Sequence, residues 1–388
     1  MKMTKFRALF GLAACAAVMF TGCGKSDAAK QGAEARKAAA PKVYEPAVPA
    51  NAEAALICDY RTVNKNPGFK QLVAGYAKLA DLIPDEQAEL KATFKTALDN
   101  AQKDEGGGWA VLACSLPAKF DPEAMPVAVP DIYLALSSSA KMDEKKLGDD
   151  AKKTLEEIVK AAGDDAEKIQ KDVKVEDAEI AGSKAYRLAL QGDSKQMLDT
   201  TTANLAPCWA VLDGQVLLAA SNEKALSSLI ALYGKGEGKS SAFSFKGKMM
   251  SLQVPKVGEI ACRYGTASGF EGFPGGIEGV RKCSGLVFET GFASDGKTLD
   301  FDLALELGDA KVAGEARDQI NGLLAMAKMG IGMKKASEMS EDDKLAKKVL
   351  DAFKVGGTTG IAATLSVETA DILKALDSAA KDAMGKTK

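Results

Sequence analysis

Three kinds of side chain in this chain have a type and spacing that could do chemistry. Ser221 is followed three residues on by Lys224. On a helix that spacing sets an amine one turn beyond a hydroxyl, where it could accept the serine's proton. Asp300 and Asp302 stand two apart and so share one face of a strand, and Asp164 and Asp165 are adjacent. Neither pair has the glycine-punctuated ligand spacing of a calcium loop, so solvated carboxylates are expected. The third kind is cysteine. Cys23 ends an apolar run, and Cys58, Cys114, Cys208, Cys262 and Cys283 are spread over the remainder without a C-x-x-C spacing. The chain contains no histidine. That removes Ser-His-Asp and Cys-His catalysis and every histidine-ligated zinc, copper or haem site. No cofactor and no metal is expected.

Cys23 takes its meaning from what precedes it. Lys2, Lys5 and Arg7 lead into an apolar run over 8–20, then Thr21-Gly22-Cys23. About 13 apolar residues suit the h-region of an export signal and fall short of the ~20 that span a bilayer. The segment Phe20-Thr21-Gly22-Cys23 resembles the lipobox of bacterial lipoproteins. The resemblance implies a diacylglycerol on the Cys23 thiol, cleavage just before it and acylation of the new amine. Phe20 departs from the leucine usual at its position. Gly24, rather than aspartate, follows the cysteine, which by the same resemblance favours the outer membrane, facing the periplasm. Residues 24–51 are rich in Ala and Lys with Pro41, Pro46 and Pro49. They read as a disordered tether with a coil dimension of about 30 Å.

Ser221-Asn222-Glu223-Lys224 resembles the S-x-x-K motif of penicillin-recognising enzymes, which implies a serine hydrolase. The partner K-T-G is absent, so Ser221 reads first as a helix N-cap. The stretch 234–240, GKGEGKS, resembles a P-loop but has Tyr233 where the motif needs glycine. It also follows a helix and precedes a strand, the reverse of the required order, and reads as a flexible surface loop. Cys262 with Cys283 is the expected disulfide if one forms. Met326, Met329 and Met333, with Gly314, Gly322 and Gly330, lie on one long helix. They suggest a soft apolar groove for an acyl chain or a partner helix, with core packing as the plainer expectation.

The elements that must position these residues follow from periodicity. Strands are expected over 54–60, 109–115, 132–138, 260–264 and 359–367. Hairpins are expected over 173–190, 209–220 and 285–307, the last two turning at Asp213-Gly214 and Asp295-Gly296. Helices are expected from Pro67 and Pro84, over 142–171, from Ser221 to before Gly234, and over 309–333. Two more run from a Ser340/Asp343 capping box and over 369–384. Leu299, Phe301, Leu303, Leu305 and Leu307 alternate with Asp300, Asp302, Ala304 and Glu306, a strand with one wet face. Ile57-Cys58-Asp59-Tyr60 resembles Ala261-Cys262-Arg263-Tyr264, and both parts repeat strand, hairpin arms, long helix, strand, helix. The expected fold is α+β: two similar halves with mostly antiparallel sheets and helices packed on one face. The expected layout is a leader at 1–22, the tether at 23–51 and halves at 52–240 and 241–388. The hairpin-Ser-helix stretch from Asp213 to Leu226 resembles a unit of uncharacterised two-half bacterial envelope proteins, which implies this architecture and no activity.

A formal charge of −2 with no basic block excludes a nucleic-acid partner on electrostatic grounds. The expected function is a lipid-anchored, non-catalytic structural or binding protein of the cell envelope. Its expected partners are the membrane, through Cys23, and another envelope protein or an apolar ligand. The alternatives are a carrier of a lipid or other apolar ligand and, behind it, a hydrolase using Ser221 and Lys224.

Overall fold

The computed structural model describes residues 43–80, 108–118, 126–137, 141–161, 171–192, 205–264, 276–334 and 339–385, apart from 62 and 246, with a few positions between these ranges. The leader, Cys23, most of the tether, most of the helix expected from Pro84 and the pair Asp164-Asp165 lie outside the described residues; of that helix, residues 91, 92, 95 and 98 are described and are helical.

Twelve strands form one antiparallel sheet. In chain order the strands are β1 (Ala54–Asp59), β2 (Trp109–Ser115), β3 (Val127–Ala128), β4 (Asp131–Ser137), β5 (Val173–Ile180), β6 (Ser183–Leu190), β7 (Thr202–Ala203), β8 (Cys208–Leu212) and β9 (Val216–Ala220). They continue as β10 (Met250–Pro255), β11 (Gly285–Phe292), β12 (Thr298–Glu306), β13 (Lys354–Gly356) and β14 (Gly360–Glu368). The order across the sheet is β13-β14-β12-β11-β10-β1-β2-β4-β9-β8-β6-β5, and β3 pairs with β7 apart from it. The helices are α1 (Pro67–Ala80), α2 (Glu144–Ala161), α3 (Glu223–Lys235), α4 (Val257–Tyr264), α5 (Gly276–Lys282), α6 (Ala310–Gly332), α7 (Glu341–Ala352) and α8 (Thr369–Gly385). The class is α+β, and the two parts share one sheet through the β1·β10 pairing, with Ala55 opposite Gln253 and Cys58 opposite Met250.

Several expected elements sit where periodicity put them. Asp213 and Gly214 both have positive φ, 52° and 67°, as a type I′ turn requires, and Gln215 N–H closes that turn onto Leu212 C=O. Ser340 and Asp343 form the reciprocal capping box at the start of α7. The stretch 260–264 is a correction. It belongs to α4, because Val257, Ile260, Ala261 and Tyr264 recur at helical spacing. The strand beside β1 is β10 instead. Its Met250, Leu252 and Val254 alternate with Ser251 and Gln253 at a strand's period of two, but here the polar set is the buried one. The likeness of 57–60 to 261–264 is therefore not a shared element.

Helices cover both faces of the first part rather than one. Ile57, Val111, Ala135, Leu218 and Val216 point to one face and pack under Leu226, Leu229 and Tyr233 of α3. Leu136, Trp209 and Leu217 point to the other and pack under Leu147 of α2. Directly opposed residues of paired strands share a face. Following the register from Leu134 through Leu112, Leu56, Leu252 and Phe288 to Leu303 therefore puts α6, which packs near Leu305 and Ile361, on the α2 face. On the α3 face of the second part stand Asp300, Asp302, Thr364 and Ser366. This is the wet face expected for β12.

From residue 43 the segment expected as tether is packed against the fold. Residues 43–52 form a strap over the α3 face. Tyr44 and Val48 belong to the core, and Pro49 is fully buried. Trp109 Nε1–H donates to Tyr44 C=O (2.9 Å), and Tyr233 OH donates to Ala47 C=O (2.8 Å). Ala50 N–H donates to Gly238 C=O and Ser240 N–H to Val48 C=O. A few large side chains at the right intervals turn an Ala/Lys/Pro segment into packed structure.

The strap and the tether are separable by truncation. Removing residues 1–41 leaves the urea-unfolding midpoint unchanged. Removing residues 1–51 strips Tyr44, Val48 and Pro49 from the core and costs about 3 kcal/mol or more. Equal midpoints for the two truncations would contradict the strap's role.

Candidate functional site

Ser221 lies between β9 and α3, where a strand end meets a helix start. The N-cap is Asn222 rather than Ser221: its Oδ1 accepts from Ala225 N–H at 2.9 Å, and its amide donates to Asp131 at 2.7 Å. Ser221 is buried. Its Oγ accepts from Ile132 N–H (3.0 Å) and lies 3.4 Å from Pro130 C=O. Lys224 is exposed. The hydroxyl thus fastens the start of α3 to β4, and the amine sits in solvent. The structure does not bring the two together as a sealed nucleophile–base pair.

The stretch 234–240 ends α3, which runs on to Lys235 instead of stopping before Gly234. Gly236 is its left-handed C-cap (φ 77°). The loop is not a free surface loop, because Gly238 and Ser240 hold the strap by main-chain hydrogen bonds. Trp109 stacks on Tyr233 at 5.4 Å between centroids, and Trp209 stacks on Tyr186 at 5.8 Å. Both tryptophans anchor the core. Asp302 pairs with Lys248 at 3.1 Å, and Asp300 accepts from the Ser366 hydroxyl. Among the described residues no group of three or more Cys, Asp or Glu is arranged to hold a metal ion.

The disulfide expectation is corrected. Cys58, Cys114, Cys208, Cys262 and Cys283 are all free. Cys262 lies on the exposed side of α4, whereas Cys283 is buried below the sheet, its thiol directed to Gly285 C=O at 3.4 Å. Burial pushes the Cys208 thiol up to about 12, with the Glu223 charge adding to it, and raises Cys58, Cys114 and Cys283 as well. Tyr60 is likewise pushed up to about 12 by burial and by Cys58 beside it. Tyr44 is raised by burial, by the hydrogen bond it donates to Asp213 and by that carboxylate's charge.

The methionines give the largest departure. Asp309 caps α6 through Lys311 and Val312 N–H and is held by Lys282 at 2.9 Å. Val312, Ala313 and Ala316 of its first turns are buried in the second core with Leu305, Leu307 and Ile361. Farther on, Met326, Met329 and Met333 face solvent together with Leu323, so they line no groove. A Cβ added at Gly322, Gly330 or Gly332 would meet nothing within 4 Å, so those glycines serve no close packing. Lys328–Asp351 and Lys334–Asp343 ion pairs tie this half of α6 to α7. A separate cleft of about 330 Å³, lined by Val63, Pro67, Met249 and Phe292 with Lys65 and Lys248, opens between the start of α1 and the β10–β11 end of the sheet.

No protein-family model and no curated protein sequence matches the chain. A solved structure described as crystal form I of TP0453 aligns over 87% of this chain and 99% of its own, at 7% identity and a TM-score of 0.33. A likeness of that degree specifies neither fold nor function.

Two outcomes follow from the thiols and phenols. Thiol titration of the denatured chain lacking residues 1–23 counts five, and in the native protein a fast phase vanishes in Cys262→Ser. A count of three would restore a disulfide. The raised groups bind protons more tightly folded than unfolded. Their contribution is therefore complete below about pH 9 and is lost as pH rises towards 12. With no histidine, stability by urea unfolding should be flat between about pH 6 and 8 and fall on the alkaline side.

Proposed function

We propose that this protein is a lipid-anchored component of the bacterial cell envelope with a non-catalytic binding or structural role. The single observation that carries the reading is the N-terminal sequence: three cationic residues, an apolar run too short to span a bilayer, and Thr21-Gly22-Cys23. Cys23 carries the acyl chains. Residues 24–42 are the tether that remains once the strap is subtracted. Gly24 directs the protein to the outer membrane, facing the periplasm. Among the described residues no helix is long and apolar enough to cross a membrane, which fits attachment through an N-terminal lipid.

The role is non-catalytic because the pair best placed to be reactive is spent on architecture. Ser221 Oγ accepts a backbone N–H in a buried corner, and Lys224 stands in solvent. A carrier role requires an apolar groove along α6, and Met326, Met329 and Met333 face outward.

Metabolic labelling with an alkyne palmitate tests the anchor. Labelling appears in the membrane fraction for the natural chain and disappears in Cys23→Ala. Labelling that survives in Cys23→Ala would remove the anchor at that residue.

A further inference from the structure

Helix α6 changes character halfway along. Between Gln319 and Met333 only Lys328 is charged. Leu323, Met326, Met329 and Met333 are 62, 57, 63 and 86% exposed. At 100° per residue they spread over about 120° of the helix surface, with Met329 opposite Ile320, which packs on the second core, and Leu323 at the stripe's near edge. A helix end that is apolar nearly all round is normally covered.

The size of the stripe says by what. From Leu323 to Met333 it runs about 15 Å, and it is about 10 Å wide. In accessible surface the four exposed side chains still present less than the ~800 Å² per partner that a specific protein complex buries. A second copy or a folded partner would need more surface than the stripe offers. A bilayer needs no such area when the chain is already attached to it, because a second weak attachment adds to the first. Cys23 and Val43 are 20 residues apart, a chain length that bounds their separation at about 70 Å, so the folded part stays within reach of the surface. Methionine's flexible thioether also suits a fluid apolar partner better than a fixed one. The stripe is too short to span and can only lie in the interfacial plane.

We propose that the C-terminal half of α6, through Leu323, Met326, Met329 and Met333, docks flat into the surface of the lipid bilayer that holds the acylated N-terminus. The proposal rests on the anchor reading of Cys23 for its first attachment. Docking gives the protein a fixed orientation, with the C-terminal half of α6 on the membrane and the β5 edge, at the far end of the sheet order, held away from it.

Site-specific photocrosslinking of the full chain in a bacterial host that exports it tests this. Benzoylphenylalanine replaces Met329 in one protein and Glu179, exposed on β5, in the other. After irradiation, the adduct at each position and the acylation of Cys23 are read by mass spectrometry in the same sample. The expected result is phospholipid adducts at 329 in about tenfold excess over 179, falling about tenfold again when Met326→Glu is added. Acylated Cys23 with equal lipid adducts at 329 and 179, or with protein adducts at 329, overturns docking and leaves the anchor. Lipid adducts at 329 beside an unmodified Cys23 uphold docking and overturn the anchor. Lipid adducts unaffected by Met326→Glu, with an unchanged unfolding midpoint, overturn the stripe as the contact.

Discussion

Strand β1 is the constraint on which the rest depends. It is hydrogen-bonded on both sides, to β10 and to β2, and so joins the two parts of the chain in one sheet, a seam that the Glu53–Arg263 ion pair and the Phe69–Phe292 contact reinforce. Its side-chain alternation sets both faces of the sheet. Ala55 and Ile57 are buried on the α3 face, while Leu56 and Cys58 point to the α2 face. A one-residue slip would exchange these sets and, through the register, every apolar residue outward to β9 and β14. That is why twelve strands of unequal length hold one order.

The first part is closed on the α3 face by two unlike covers. Helix α3 supplies Leu226, Leu229 and Tyr233, and the strap supplies Tyr44 and Val48. The strap is no strand, yet its polar groups find partners in Trp109, Tyr233 and the loop after α3. Near the β1·β10 seam this core gives way to a polar ladder. Ser244 bonds Gln253, Gln253 bonds Ser251, and Ser251 reaches Glu289 at 3.3 Å. Buried polar groups are tolerated there because each finds a partner within the ladder, and they mark where the face turns from covered to wet.

The second part spends its apolar surface differently. Only the beginning of α6 serves the sheet. The rest leans on α7 through two ion pairs and leaves Leu323 and three methionines in the open. Surface ion pairs contribute little to stability, so this helix pair is held chiefly by the packing of α7 on β14 and α8. A fold that seals Trp109 and Trp209 in its core does not leave such a stripe bare for want of apolar partners. The exposed stripe is where the molecule's own packing stops and an outside partner begins.

Strong local periodicity made much of the fold legible in the sequence. The type I′ turn at Asp213-Gly214, the capping box at Ser340, the alternation in β12 and the amphipathic spacing of α2 each depend on neighbours within a few residues. They formed as local chemistry dictates. The candidate anchor at Cys23 is likewise a matter of local order, and so is the exclusion of histidine chemistry. Other features depend on contacts between residues distant in the chain. The alternation of β10 is written in the sequence, but that Ser251 and Gln253 form its buried set depends on partners the sequence does not reveal. Tyr44, Val48 and Pro49 looked like tether until Trp109, Tyr233 and Gly238 were brought beside them. Cys262 and Cys283, 21 residues apart, could have been bridged, and only the packing of α4 and α5 sets one outside and one in. Whether Met326, Met329 and Met333 faced the core or the solvent depended on where α6 leaves the sheet. Spacing along one helix fixes which residues share a stripe. Only the tertiary structure fixes what that stripe meets, because burial is a property of the partner as much as of the side chain.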